Sequence, residues 1–248
     1  MLTRLEMKLK SEGEITYPMV TLFHGALMEI IPEDYASYLH VSQLHPYTQH
    51  LEYKDDCWYW IVCCLNTEAT KVIIQKSLMP IQEIEIKNRN MTIQIIQKTY
   101  QETSYRELMD RFYEEDASRY IQIHFISPTA FKQRGHYLFY PDIRCIYQSL
   151  MNKYDAAVRD EGMIDDDTLE QLCEYTQIVR YDLKSVMFSL EGVRIPSFIG
   201  KITLKISKTQ TMANFARLLF QFGTFAGVGI KASLGMGCIK ILEERGNK

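Results

Sequence analysis

The sixteen residues from Gly223 to Cys238, GTFAGVGIKASLGMGC, constrain this chain more than any other stretch. Five of the twelve glycines in its 248 residues fall here, four of them as two Gly-x-Gly pairs around Lys231 and Ser233. Glycine is selected where φ must be positive or where another backbone must come close. Upstream, Met212, Phe215, Ala216, Leu219 and Phe222 recur at three- and four-residue spacing and predict a helix. Downstream, Cys238 to Leu242 is short, apolar and β-branched, a strand pattern. The order is therefore helix, glycine loop, strand. A nucleotide-binding loop runs the other way, from strand through glycines into a helix N-terminus, and no Walker-type Lys-Ser pair follows these glycines. Dinucleotide and ATP sites are disfavoured. Two readings remain: backbone N–H groups forming an anion-binding concavity with Lys231 as an added charge, or a loop packed tightly against a sheet.

The charge distribution bears on the first of these. The chain carries a formal net charge of −3, which argues mildly against a polyanionic partner. From Lys201 onward, however, eight Lys or Arg face two Glu, so this segment is +6 and the first 200 residues are −9. Local field decides where a polyanion docks, and the basic segment contains the glycine loop. Between Asp155 and Glu174 eight acidic residues accompany one arginine, which predicts an exposed excursion, partly helical. Six cysteines are scattered with no Cys-x-x-Cys pair, so neither a zinc site nor a disulfide framework is indicated. They read as buried small apolar residues of a reducing cytoplasm. No apolar run approaches the roughly 18 residues of a membrane span. Met1 to Leu9 alternates like a strand and lacks the apolar core of a signal peptide.

Along the chain, strands are predicted at Leu2 to Lys10 and Trp58 to Leu65, and a hairpin at Ile81 to Lys87 and Met91 to Lys98. Helices are predicted at Val20 to Ile31, Glu33 to His40 and Asn66 to Leu78, with Val41 to His50 irregular between them. That order, β-α-β-α-β-β, is one element out of step with the β-α-β-β-α-β of a ferredoxin-like unit. After a connecting helix over 103–115, a second set begins. It comprises a strand from Arg119 to Ile126, a helix from Ile143 to Tyr154, strands at Val179 to Leu190 and Ile195 to Ser207, then the helix, loop and final strand described above.

The pattern Gly-Val-Gly-Ile-Lys-Ala-Ser-Leu-Gly-Met-Gly entering a terminal strand resembles the C-terminal signature of the CRISPR-associated endoribonucleases that cut repeat RNA. Their superfamily of repeat-associated proteins (RAMP) is built from ferredoxin-like, RNA-recognition-motif-like domains. Three mid-chain pieces resemble the same family: Phe125 to Lys132, Phe139-Tyr140-Pro141-Asp142, and Ile146 to Tyr154. The likeness extends to His24-Gly25-Ala26-Leu27 and Tyr38-Leu39-His40. It implies an α+β chain of two tandem ferredoxin-like domains, residues 1–115 and 116–248, the second carrying the glycine-rich loop. It further implies metal-independent cleavage of CRISPR precursor RNA within repeats, by 2′-hydroxyl attack, leaving 5′-hydroxyl and 2′,3′-cyclic phosphate ends. The implied partners are repeat RNA and CRISPR effector-complex subunits, with no membrane, no metal and no cofactor, as a cytoplasmic monomer or homodimer.

Cleavage without metal needs groups that move protons near neutral pH, and histidine suits this. The chain has His24, His40, His45, His50, His124 and His136. By resemblance the family's general base is the histidine of a Leu-His pair after the first helix, and Leu39-His40 matches it. A histidine at the end of a helix is the plainer alternative. Family members often place a tyrosine in the first helix and a lysine shortly after the histidine. Met28 and Pro46 stand near those places here, so His45, His24 or Lys54 are candidate substitutes. For RNA binding the expected residues are Gly227, Gly229, Lys231, Ser233, Gly235 and Gly237. The rival functions are a non-catalytic RNA-binding subunit of an effector complex and, more distantly, a ferredoxin-like enzyme or small-ligand module that has no affinity for RNA.

Overall fold

A computed structural model of the chain describes residues 1–114, 116–158, 165–190 and 192–242. By contact these divide into two units. One contains Met1–Thr103 together with Lys231–Gly235. The other contains Ser104–Ile230 and the chain from Met236 on. The division thus falls at Thr103/Ser104 where the sequence reading puts it at residue 115.

The first unit runs β1 (Leu2–Lys10), α1 (Val20–Ile30), α2 (Glu33–Val41), β2 (Tyr47–Lys54), β3 (Cys57–Cys64), a single turn α3 (Thr67–Ala69) that widens into a π-helix over Thr70–Leu78, then β4 (Glu83–Ile86) and β5 (Met91–Thr103). Its antiparallel sheet has the order β2-β3-β1-β5-β4. The expected irregular stretch from Val41 to His50 is corrected here, because from Tyr47 onward it is strand. The strand escapes notice because Thr48, Gln49 and His50 are polar yet buried beside Tyr47 and Leu51, which hides the alternation. Gln49 makes this tolerable: its Nε2 donates to the Val20 carbonyl at 3.1 Å and its Oε1 accepts from Trp60 Nε1 at 2.9 Å. With β2 restored the order becomes β-α-β-β-α-β with one additional edge strand, the ferredoxin-like arrangement. Asp55 and Asp56, both at positive φ, make the two-residue turn between β2 and β3.

The second unit contains α4 (Tyr105–Glu114), β6 (Tyr120–Thr129), the small hairpin β7 (Phe131–Gln133) and β8 (His136–Leu138), α5 (Ile143–Ala157), α6 (Asp166–Tyr175), β9 (Thr176–Leu190), β10 (Val193–Ile206), α7 (Gln210–Ala226) and β11 (Ile239–Leu242). The sheet order is β11-β6-β10-β9, again antiparallel with the first main strand in the middle. Asp142 caps α5 by accepting from the Cys145 N–H at 2.8 Å, and Thr209 caps α7. Alternate residues of β6 (Ile121, Ile123 and Phe125) are buried, as are Ile202 and Leu204 of β10, with Phe125 edge-on to Phe198 at 4.8 Å. Part of the acidic segment expected to be an exposed excursion is α6, which buries Leu169 and Leu172. Residues 159–164 of that segment lie outside the described residues. Both sheets are thus ferredoxin-like and the fold is α+β. No helix among the described residues is long and apolar enough to cross a membrane.

Candidate active site

The glycine loop leaves α7 at Gly227 and returns at β11, and its backbone donors are largely engaged within the chain. Val228 N–H donates to the Gly237 carbonyl at 2.7 Å, Gly229 N–H to Ser149 Oγ at 2.8 Å, and Ile230 N–H to the Ala130 carbonyl at 3.1 Å. Gly237 N–H donates to the Pro128 carbonyl at 3.0 Å and Gly235 N–H to the Ala232 carbonyl at 3.3 Å. The expected concavity of open N–H groups is therefore not what these glycines build. They are required by close approach. A Cβ at Gly229 would stand 2.3 Å from the Ala130 oxygen, and one at Gly237 would stand 2.0 Å from the Val228 oxygen. Lys231 is different: it is exposed, sits at φ +55°, and caps the short 3₁₀ turn Ala232–Leu234.

That turn belongs to the first unit, where it lies near α1 and β2. Tyr17 donates its hydroxyl to the Gly235 carbonyl at 2.9 Å, and a Cβ at Gly235 would stand 2.3 Å from Val20 Cγ2. Ser233, buried at 8% exposure, is near two further side chains. Its hydroxyl reaches Tyr47 and its main chain reaches His24. The Tyr47 hydroxyl lies 3.0 Å from His24 Nδ1, and the Tyr47 ring stacks on His45 with centroids 5.7 Å apart and planes 21° off parallel. The structure thus gathers His24 from α1, His45 and Tyr47 from the entry to β2, and Ser233 from the loop.

The electrostatics follow from burial. Loss of hydration, with His45 nearby, pulls the His24 imidazole down to about 4 against an upward pull from the Ser233 main chain. Burial also lowers His45, and His40 adds to the effect, while the Leu39 main chain opposes it. Burial raises the Tyr47 phenol well above its usual value. His40 itself is exposed in the last turn of α2, within electrostatic reach of His45. The arrangement is a row: His40 in solvent, with His45 and His24 half-buried behind it and His24 held neutral.

Lys54 does not join it. It ends β2, seven residues from Tyr47 and so roughly 23 Å along the strand, and its ammonium is 2.7 Å from Glu6. Burial lowers the ammonium, but Glu6 outweighs that and the net shift is upward. His50 is buried mid-strand, 4.0 Å from Glu52. His124 lies in β6 opposite both Lys201 and Lys240, and His136 is exposed in β8. Tyr47 was not singled out in the sequence. Its signal was the alternation Tyr47, Gln49, Leu51 two residues beyond His45. Among the described residues no group of three or more His, Cys, Asp or Glu is placed to hold a metal ion. In the second unit, half-buried Lys153 donates from Nζ to the carbonyls of Ala226 at 3.1 Å and Gly227 at 3.0 Å, and loss of hydration around the ammonium pulls it down to about 7.

The family model for CRISPR-associated endoribonuclease Cas6 matches residues 123–239. A CRISPR-associated endoribonuclease Cas6 from Streptococcus thermophilus is 36% identical over 223 residues, covering 90% of this chain and 90% of that protein. Its counterpart in Mycobacterium tuberculosis is 32% identical over 253 residues, covering 97% of this chain and 78% of that protein. Among solved structures, a Cas6 product complex aligns with a TM-score of 0.79 at 20% identity, over 98% of this chain and 99% of that one. Thermus thermophilus Cas6 aligns at 0.72 with 19% identity, over 98% of each chain. At such identities the structural likeness speaks to the fold, whereas the two curated relatives match nearly the whole chain in sequence. On that ground the chain belongs to the CRISPR-associated endoribonuclease Cas6 family.

Proposed function

We propose that this protein binds CRISPR precursor RNA and cuts it within the repeat without a metal ion. A ribose 2′-hydroxyl attacks the adjacent phosphorus. The 5′-oxygen leaves with a proton, giving a 5′-hydroxyl and a 2′,3′-cyclic phosphate. His40 is the group assigned to take the 2′-hydroxyl proton, since it is the solvent-facing member of the histidine row. A general base of this kind must reach its proton directly or through one water, which an exposed imidazole does without rearranging the core. His45 and His24 stand behind it as neutral rings, and Tyr47 and Ser233 hold His24 in place. Lys231, exposed at the head of the Ala232–Leu234 turn, supplies the cation for a phosphate. The glycines contribute the loop's shape.

The observation that carries this reading is the clustering of His40, His45, His24 and Tyr47 in a chain of an endoribonuclease family. The test is incubation of the protein with end-labelled repeat RNA in excess EDTA, with product ends mapped. Cleavage at one repeat position is expected, with a 3′ end that resists enzymatic tailing until the cyclic phosphate is opened and removed. An RNA carrying a 2′-deoxy sugar 5′ of the cut should survive, because it lacks the internal nucleophile. Loss of activity in EDTA, restored by Mg²⁺, would overturn the metal-free mechanism. RNA that is bound tightly and never cut would favour a non-catalytic effector subunit.

A further inference from the structure

At the end of β6 remote from the glycine loop, the second unit contains a cleft of about 320 Å³. Arg111 of α4, Arg217 and Gln221 of α7, Tyr120 at the start of β6, and Asp116 line it. Neither arginine has an ion-pair partner among the described residues. The cleft is braced by Asn214, a lining residue whose side chain makes three hydrogen bonds within the chain. Its Oδ1 accepts from the Ala117 N–H at 2.9 Å and from Gln210 Nε2 at 2.9 Å, and its Nδ2 donates to the Phe112 carbonyl at 3.0 Å. Phe112 and Ala117 are thereby tied to α7, so the two arginines are presented from a fixed frame.

Two guanidinium groups without carboxylate partners suit a phosphate, which they grip through planar forks. Tyr120 is 43% exposed and has the Lys205 ammonium over one face of its ring, 5.9 Å from the centroid, so a base would stack on the other face. Gln221 and Asp116 offer an amide and an acceptor to base edges. The volume lies at the small end of ligand sites and suits a single nucleotide. Pro128, which holds the glycine loop, is eight residues from Tyr120 along β6, or about 26 Å. The cleft is therefore separate from the loop.

We propose that this cleft is a second RNA site: it holds one nucleotide of a single-stranded segment, phosphate on Arg111 and Arg217, base on Tyr120. This rests on the RNA substrate proposed above. The test is fluorescence anisotropy with labelled repeat RNA and its flanking nucleotides, across a salt series, on the parent and on R111Q/R217Q. The double variant should melt with the parent and bind roughly 10- to 100-fold more weakly. Its salt dependence should be shallower by about 0.7, the contribution of one phosphate contact on a single strand. R111K/R217K, which keeps charge and loses the forks, should fall between. RNA substituted with 4-thiouridine should crosslink to Tyr120 in the parent. Unchanged affinity and slope in R111Q/R217Q, or a crosslink that avoids residues 111–121 and 214–221, would overturn the proposal. So would a lowered melting temperature with unchanged affinity, which would make the arginines structural. AMP that binds the cleft without competing with RNA would assign it to a free nucleotide instead. In each of these outcomes the parent still cuts RNA, whereas a parent that neither binds nor cuts defeats the wider reading.

Discussion

The hydroxyl of Tyr47 lies 3.0 Å from Nδ1 of His24, and the same tyrosine ring is stacked on His45. One side chain thus holds an inner histidine by hydrogen bond and an outer one by its face. Because His24 is pulled down to about 4, it is neutral through the physiological range. Histidine-ring NMR should find it uncharged from pH 8 to pH 5. Its folded value is below the unfolded value, so between about 6.5 and 4 the unfolded chain binds more protons. Stability in urea should therefore decline as pH falls through this window, and decline less in His24→Gln. An equal decline in both proteins would contradict the assignment.

His40→Ala should slow single-turnover cleavage by about 10² to 10⁴-fold, the usual contribution of a positioned acid or base. RNA affinity should stay within about twofold, because phosphate contacts dominate it. His45→Ala and His24→Ala belong in the same experiment. If either abolishes cleavage while His40→Ala cuts at the parental rate, the proton acceptor lies deeper in the row.

Most elements were legible because their apolar residues keep one period: α1 through Val20, Phe23 and Leu27, β6 through Ile121, Ile123 and Phe125. The strand β2 was not, since polar Thr48, Gln49 and His50 occupy buried positions, and Gln49 is satisfied by Val20 and Trp60, which are distant in sequence. The same distance hid Tyr47 from the histidine cluster. For the glycine loop, sequence placed the positive-φ residues but left open what they approach. Their neighbours Ala130, Pro128 and Ser149 lie about 80 to 110 residues away in the chain. The widened turn of Thr70–Leu78 leaves no mark in an apolar pattern that an ordinary helix would share.

The two kinds of loop residue should separate on mutation. Gly237→Ala puts a methyl group against the Val228 oxygen at φ +73°. It should cost about 2–4 kcal/mol of stability through strain and displacement, seen as a lower melting temperature. Lys231→Ala should leave melting unchanged. It should weaken RNA binding severalfold and flatten its salt dependence by about 0.7 to 0.9, the loss of one phosphate contact. Unaltered binding by Lys231→Ala would remove the loop from the RNA surface.

Lys153 should leave a signature at alkaline pH. Burial lowers it to about 7 from 10.5, so between those values the unfolded chain holds the extra proton. Stability should rise with pH across that interval. Lys153→Met should lose this rise and also loosen Ala226 and Gly227, which the ammonium holds. Hydrogen exchange at Gly227 and Val228 should accelerate in the variant. A parental pH profile in Lys153→Met would show that the lysine is not the group that titrates.

In both sheets the first main strand sits between partners that come much later in the chain. β1 waits for β5, β6 waits for β10 and β11, and the first unit also takes in Lys231–Gly235. On the ribosome neither unit can complete its contacts until the segment around residues 231–242 has left the exit tunnel. Until then the hydrogen-bonding edge of Ile121 to Phe125 is open to other nascent chains. Such long-range pairing also slows folding. Messages broken before the codon for Ile239 should therefore yield products that aggregate or are degraded.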